Sequence, residues 1–228
     1  MPLSVITGAS RGLGLALARS LAERGWELVV DARDPEDLER AAAELGRLTT
    51  VTAIAGDVSD SDHRRELIAA AGERIDVLVN NASVLGPSRQ PALADYPLDE
   101  VERVYRVNVL APLALVQLAL PRFVDGARIL NVTSDAAIEP YERWGGYGSS
   151  KAALDQVTAI LAVEHPGLRV YAVDPGDMRT RMHQEAFPGE DISDRPEPET
   201  SVPGLVALIE DEHPSGRYRA RELAEVSA

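Results

Sequence analysis

Short runs of β-branched and aliphatic residues alternate along this chain with longer stretches in which alanine and leucine recur at helical spacing. The runs at 3–7, 27–31, 51–55, 77–80, 128–132 and 169–173 are mostly apolar on both faces, the pattern of strands covered from both sides. Between them, the stretches 12–24, 35–45, 59–72, 98–120 and 147–164 predict helices. This alternation predicts successive βαβ units, hence an α/β protein on a doubly wound parallel sheet with helices on both faces. No internal repeat or linker divides the chain, so residues 1–228 read as a single domain. The segment 185–203 breaks the rhythm: rich in Pro, Glu and Asp, it reads as a mobile surface loop. A last helix near 202–210 and a short strand near 217–220 complete the prediction.

Composition narrows the function classes. With 228 residues and 45% hydrophobic content, the chain can bury one substantial core. No window reaches the length of a membrane span, and the N-terminus runs straight into a strand without a signal-peptide pattern. Cysteine is absent, which excludes disulfides and thiolate chemistry. His63, His165, His183 and His213 show no ligand spacing, so no metal site is expected. A formal net charge of −14 argues against nucleic acid or an anionic membrane as partner. The expectation is a soluble cytoplasmic protein acting on a small molecule.

Chemistry enters first at the end of the opening strand, which feeds Thr7-Gly8-Ala9-Ser10-Arg11-Gly12-Leu13-Gly14 and then a helix. Glycines at 8, 12 and 14 permit a tight turn, close approach of backbone to a pyrophosphate, and close helix–strand packing. The helix start offers free N–H groups and the positive dipole end to an anion. After the second strand the chain reads Val30-Asp31-Ala32-Arg33-Asp34. An acid there takes the ribose hydroxyls of NAD, whereas an arginine accommodates the 2′-phosphate of NADP. Asp31 would still lie on the strand, while Arg33 follows it, with Arg11 in the glycine turn as a second guanidinium. NADP(H) is the favoured cofactor, with NAD(H) the alternative; either arginine would otherwise pair with Asp31 or Asp34.

The chain holds one lysine, Lys151, against 22 arginines. It stands four residues after Tyr147, so on a helix the phenol and the ammonium share a face. A planar guanidinium does not replace a compact ammonium on a flexible stem. A nearby cation favours phenolate and is expected to lower the tyrosine pKa from about 10. Ser134 ends the fifth strand, at the mouth of the crevice where doubly wound sheets bind ligands. Asn108 lies inside the long predicted helix, where asparagine is unfavourable; it is either a satisfied core amide or a distortion that holds a water.

Thr7–Gly14, Asp57-Val58, Asn80-Asn81-Ala82, Asn108, Ser134, Tyr147-x-x-x-Lys151 and Pro175-Gly176 occur in order and at fitting spacing. In these motifs, from residue 3 to about 182, the chain resembles the short-chain dehydrogenase/reductase family, in its compact single-domain Rossmann branch. The resemblance implies that Tyr147 is the general acid in carbonyl reduction, or the base in alcohol oxidation. It implies that Lys151 lowers the tyrosine pKa and bonds the nicotinamide ribose, that Ser134 donates to the substrate oxygen, and that Asn108 supports a water in the proton relay. Gly8, Ser10, Arg11, Gly12, Leu13 and Gly14 would form the pyrophosphate turn. Asp57 and Val58 would contact the adenine, with Asn80 and Ala82 under the adenosine ribose. Pro175, Gly176, Met178 and Thr180 would flank the nicotinamide. A homodimer or homotetramer through 98–120 and 147–164 is also implied.

Three positions depart from the family pattern: Ser83 replaces the usual glycine after Asn-Asn-Ala, Asp174 precedes Pro-Gly, and the part beyond Met182 is short and acidic. The pocket is expected between 84–89, 136–144 and 178–187, with Tyr141, Trp144, Leu85 and Met182 as apolar walls and Arg89, Arg143, Arg179 and Arg181 within reach of an acidic substrate. Its substrate class stays open among ketones, aldehydes, ketoacyl groups and sugars. The leading reading is an NADP(H)-dependent oxidoreductase interconverting a carbonyl and a secondary alcohol. The alternative is a catalytically idle NADP(H)-binding sensor or scaffold. A dehydratase or epimerase on this fold is disfavoured by the glycine spacing and the short C-terminal part.

Overall fold

A computed structural model describes residues 1–226. Seven strands form one sheet in the order β3-β2-β1-β4-β5-β6-β7, and every neighbouring pair is parallel. They are β1 (Leu3–Ile6), β2 (Glu27–Ala32), β3 (Val51–Ala55), β4 (Ile75–Asn80), β5 (Phe123–Val132), β6 (Arg169–Asp174) and β7 (Gly216–Arg219). The order reverses between β1 and β4, which opens a crevice above their carboxyl ends.

Side chains of successive strand residues point to opposite faces, and the two cores follow that alternation. Ile6, Val30, Val79, Leu130 and Val173 pack on one face against α1 (Gly12–Glu23), α2 (Pro35–Leu45) and α8 (Val202–Glu210). Val5, Val29, Leu78, Ile129 and Val170 pack on the other against α3 (Ser61–Ala70), α5 (Ala111–Ala119) and α6 (Gly145–Glu164). Asp34 and Asp60 start α2 and α3 by accepting hydrogen bonds from the first-turn N–H groups. The doubly wound α/β architecture is the one the alternation predicts.

Three expectations need correction. The single helix over 98–120 is instead α4 (Leu98–Tyr105), a π-helical turn (Arg106–Leu110) and α5. Asn108 sits in that turn, where its amide is clasped by loop and helix groups outside its own helix. The combined run Leu98–Arg122 is also long and apolar enough to cross a membrane by length and composition, contrary to the sequence expectation. Half of its most apolar window is buried within the fold, through residues such as Val104, Leu115 and Val116.

The 185–203 segment is the third. It begins within α7 (Arg181–Ala186), carries a 3-10 turn at Pro198–Thr200 and runs into α8, with Ile192, Pro198 and Ser201 buried. Its acidic composition disguised these anchors: Ser201 donates through Oγ to the Pro175 carbonyl at 2.7 Å, and Arg179 N–H donates to the Pro196 carbonyl at 2.8 Å. The segment therefore braces the loop after β6. β7 leads directly into α9 (Ala220–Val226).

Candidate active site

A cleft of about 1530 Å³ runs over the carboxyl ends of the strands. That exceeds the range of about 300–1,000 Å³ usual for one small ligand, so a dinucleotide and a substrate fit together. Its lining brings together Gly8, Ser10, Arg11, Gly12, Leu13, Arg33, Asp57, Val58, Ala82, Ser134, Tyr147, Lys151, Pro175, Gly176, Met178 and Thr180.

In the first half, Gly8 adopts φ +68°, and a Cβ there would stand 3.0 Å from the Ala82 Cα. Gly14 lies behind the cleft wall; a Cβ on it would approach the Gly8 carbonyl to 2.4 Å. These two positions require glycine because the turn packs backbone on backbone. Asn81 laces the turn to β4, donating through Nδ2 to the Thr7 and Gly8 carbonyls at 2.8 and 3.1 Å. Asn80 and Ala82 are the residues of this triplet expected under the adenosine ribose. Asn80 in fact turns its side chain away from the cleft and donates to Asn131 Oδ1 at 2.8 Å. Asn131 in turn donates to Thr158 on α6. Strand alternation puts Asn80 inward and leaves the next residue to face the turn.

Asp31 and Arg33 both line the cleft but sit in different surroundings. Asp31 is 1% exposed, and both its oxygens are engaged. Oδ1 accepts from the Gly8 N–H at 2.7 Å and Oδ2 lies 2.9 Å from His63 Nε2. Burial raises the Asp31 pKa, while the bond to Asp31 raises that of His63. Arg33 is exposed at the cleft edge, and Arg11 also lines it, 3.4 Å from Asp37. Thus Arg11 pairs with Asp37, not with Asp31 or Asp34. α1 begins with Arg11 as an uncapping residue and has no acid in its first turn, so its N–H groups suit a phosphate. Asp57 accepts from the Ser59 N–H at 2.8 Å, which fixes the loop beside buried Val58.

In the second half, Ser134, Tyr147 and Lys151 face one another across the cleft floor. Lys151 is 2% exposed; its Nζ donates to the Val132 carbonyl at 2.7 Å and lies 5.6 Å from the Tyr147 ring centroid. Burial lowers its pKa to about 8, with Asp155 opposing. Burial also raises the Tyr147 phenol above its ordinary value, against the pull of the Ser134 hydroxyl; Asp135 and Asp174 push it further up. The expected lowering of the tyrosine pKa is therefore reversed in the protein alone. The ammonium stands over the ring, and desolvation dominates.

Asn108 is fully buried and does not line the cleft. Its Oδ1 accepts from Ser83 Oγ at 3.1 Å and from the Val84 N–H at 2.9 Å; its Nδ2 donates to the Val84 carbonyl and to Ser150 Oγ. The side chain is thus a satisfied amide that ties the cleft loop to α6, and the water-holding role expected of it does not fall to its carboxamide.

Two further residues escaped the sequence reading. Asp135 accepts through Oδ1 from Ser134 Oγ and from the Ala136 N–H, both at 2.8 Å, and through Oδ2 from the Tyr141 hydroxyl at 2.9 Å. Arg217 on β7 donates to the Ser134 carbonyl at 3.0 Å, pairs with Asp155 at 3.0 Å and stands 3.5 Å from Asp174. No local motif marks an arginine 83 residues from its partner serine. The outer wall is apolar: Leu85, Trp144, Met182 and Ala186 pack around Tyr147, and Trp144 meets the Tyr147 and Phe187 rings at 5.8 Å. The arginines expected to receive an acidic substrate are engaged or displaced. Arg179 pairs with Glu197 and Arg181 with Glu185, while Arg89 and Arg143 do not line the cleft.

Comparison with known proteins agrees with this geometry. Residues 3–191 match the sequence model described as short chain dehydrogenase. The chain is 36% identical over 192 residues to the rhamnolipids biosynthesis 3-oxoacyl-[acyl-carrier-protein] reductase of Pseudomonas aeruginosa, covering 79% of this chain and 74% of that protein. It is 36% identical over 201 residues to a sepiapterin reductase of Xenopus laevis, covering 81% and 76%. Among solved structures, a short chain dehydrogenase of Pseudomonas syringae superposes with a TM-score of 0.90 at 29% identity, over 96% of this chain and 94% of that one. One of Shigella flexneri 2a, complexed with NADP, superposes with a TM-score of 0.87 at 26% identity, over 96% and 97%. Fold, glycine turn and the Tyr147–Lys151 pair converge with a match over most of the sequence, and the chain belongs to the short chain dehydrogenase family.

Proposed function

We propose that the protein is an NADP(H)-dependent oxidoreductase that interconverts a carbonyl and a secondary alcohol, with both sites in one domain. The observation that carries this reading is the meeting of Ser134, Tyr147 and Lys151 in the cleft that begins at the glycine turn. When bound, the dinucleotide supplies the hydride; the chain supplies orientation and the proton. The α1 N-terminus, Ser10, Arg11 and Arg33 suit the phosphates, and Lys151 suits the nicotinamide ribose. Asp31 is committed to the turn, which removes the acid that would favour NAD(H). Complexes of structural neighbours with NADP and NADPH support the same preference.

Tyr147 lines the cleft beside Ser134 and Lys151, and a phenol is protonated at neutral pH, so it is placed to give a proton to a bound carbonyl oxygen. Relatives named as reductases support that direction. Ser134 would orient the carbonyl oxygen, and Lys151 would carry positive charge near the developing oxyanion. Leu110, Ile160 and Val163 are exposed apolar residues on the outer side of the two long helical runs, which supports a homodimer or homotetramer there. A net charge of −14 supports work in an aqueous compartment, the cytoplasm in our reading.

A second reading, an idle NADP(H)-binding sensor or scaffold, draws on one observation: the Ser134 proton is committed to Asp135. A panel of ketones and aldehydes with NADPH and NADH, followed by nicotinamide absorbance, separates the two. Carbonyl-dependent oxidation of NADPH supports the enzyme; tight NADPH binding without turnover of any carbonyl supports the sensor.

A further inference from the structure

Ser134 does not point a free hydroxyl into the cleft. Its Oγ accepts from the Ala136 N–H at 3.2 Å, and its proton is directed at Asp135 Oδ1, 2.8 Å away. The carboxylate is held in place by the Ala136 N–H on Oδ1 and by the Tyr141 hydroxyl on Oδ2. Both residues line the cleft beside Tyr147. A simple ketone entering here would need Ser134 to turn away from Asp135. That would exchange a charge-assisted bond for a neutral one and leave the carboxylate short of a donor.

A carbonyl bearing a hydroxyl on the adjacent carbon removes this cost. In the syn conformer its two oxygens stand a hydrogen-bond length apart, matching the spacing of Ser134 Oγ and Asp135 Oδ1. The substrate hydroxyl donates to Asp135, Ser134 rotates to donate to the carbonyl oxygen, and the number of hydrogen bonds is conserved. We propose that Asp135 is a specificity-determining residue that selects α-hydroxy carbonyl compounds for reduction to vicinal diols. The apolar wall of Leu85, Trp144, Met182 and Phe187 would take the remainder of such a substrate. This rests on the carbonyl-reductase reading above. No net charge change is involved: the carbonyl takes up a hydride from the reduced dinucleotide and a proton from Tyr147, and the neighbouring hydroxyl is unchanged.

The test compares 2-hydroxyacetophenone with 2-methoxyacetophenone, which has a similar electron-withdrawing group but no proton to donate. With NADPH, the wild-type protein is expected to favour the hydroxy ketone in kcat/KM by about 10- to 100-fold, the scale of one hydrogen bond to a charged group. In Asp135→Ala, kcat/KM should rise on the methoxy ketone and fall on the hydroxy ketone, bringing the two within about threefold. Asp135→Asn, closer in shape, should retain part of the preference and guards against misfolding of the alanine variant. Equal turnover of both ketones by the wild type overturns the assignment of Asp135 while leaving the reductase reading intact. An equal loss on both ketones in the two variants also overturns it, because a merely structural role predicts that pattern. Failure of the wild type to reduce either ketone, or any other carbonyl, overturns the reductase reading itself.

Discussion

Replacing Asp31 with alanine tests whether this acid belongs to the cofactor's ribose or to the fold. The substitution removes two bonds at once: that from the Gly8 N–H at 2.7 Å, part-buried at the cleft, and that with His63 at 2.9 Å in the interior. Breaking a buried pair by deleting one partner costs about 3–5 kcal/mol. With a urea dependence of about 2–3 kcal/mol per molar, the unfolding midpoint should fall by about 1–2 M. Fluorescence of buried Trp26, in the core that packs against α1 and α8, reports the transition. The glycine turn loosens in this variant, so NADPH and NADH should weaken together and their affinity ratio should stay within about threefold of wild type, the change expected where no charged contact to either ribose is lost. A midpoint unchanged within error, or a selective loss of NADH, would refute the reasoning and return Asp31 to the ribose.

Three more outcomes follow from the same geometry. Arg33→Ala should weaken NADPH at least tenfold more than NADH by titration calorimetry, since only NADPH carries the 2′-phosphate and a bond to a charged group is of about that worth; an equal loss would overturn the preference. His63 gains its partner on folding and its pKa is raised, so its contribution to stability is complete below the unfolded value of about 6.5 and is lost as pH rises through the folded one. The melting-temperature advantage of wild type over His63→Gln should therefore shrink as pH increases from mildly acidic to alkaline; an advantage that grows would contradict the pairing. Arg217→Ala frees the Ser134 carbonyl and leaves Asp174 and Asp155 without their shared cation. It should lower kcat by about tenfold or more through misplacement, with NADPH affinity little changed, and Arg217→Lys should recover part of the loss; equal kcat in all three proteins would show that Arg217 positions nothing.

Most of the sheet was legible because most strands are short runs apolar on both faces, and several breaks are marked by Gly, Asp or Pro. The glycine turn, Ser134, Tyr147 and Lys151 were legible because their spacing is local. What escaped was set by contacts distant in sequence. The π turn at Asn108 depends on Ser83, Val84 and Ser150. The anchoring of the 185–203 segment depends on a serine bonded to Pro175, hidden among acidic neighbours. The sign of the Tyr147 shift depends on burial, which a helical i, i+4 spacing does not report. The direction of the Asn80 side chain, towards Asn131 and not the cleft, depends on which face of β4 the residue takes.

The most direct measurement is NADPH-dependent carbonyl reduction by Tyr147→Phe, set beside NADPH affinity in the same preparation. The phenyl ring keeps the contact with Trp144 and lacks only the hydroxyl that carries the proton. The account predicts that kcat falls by about a thousandfold, within the range for loss of a general acid, while NADPH binds as in the wild type. Turnover retained within tenfold would mean that the proton comes from elsewhere, and the site as described would not be the one that carries the chemistry.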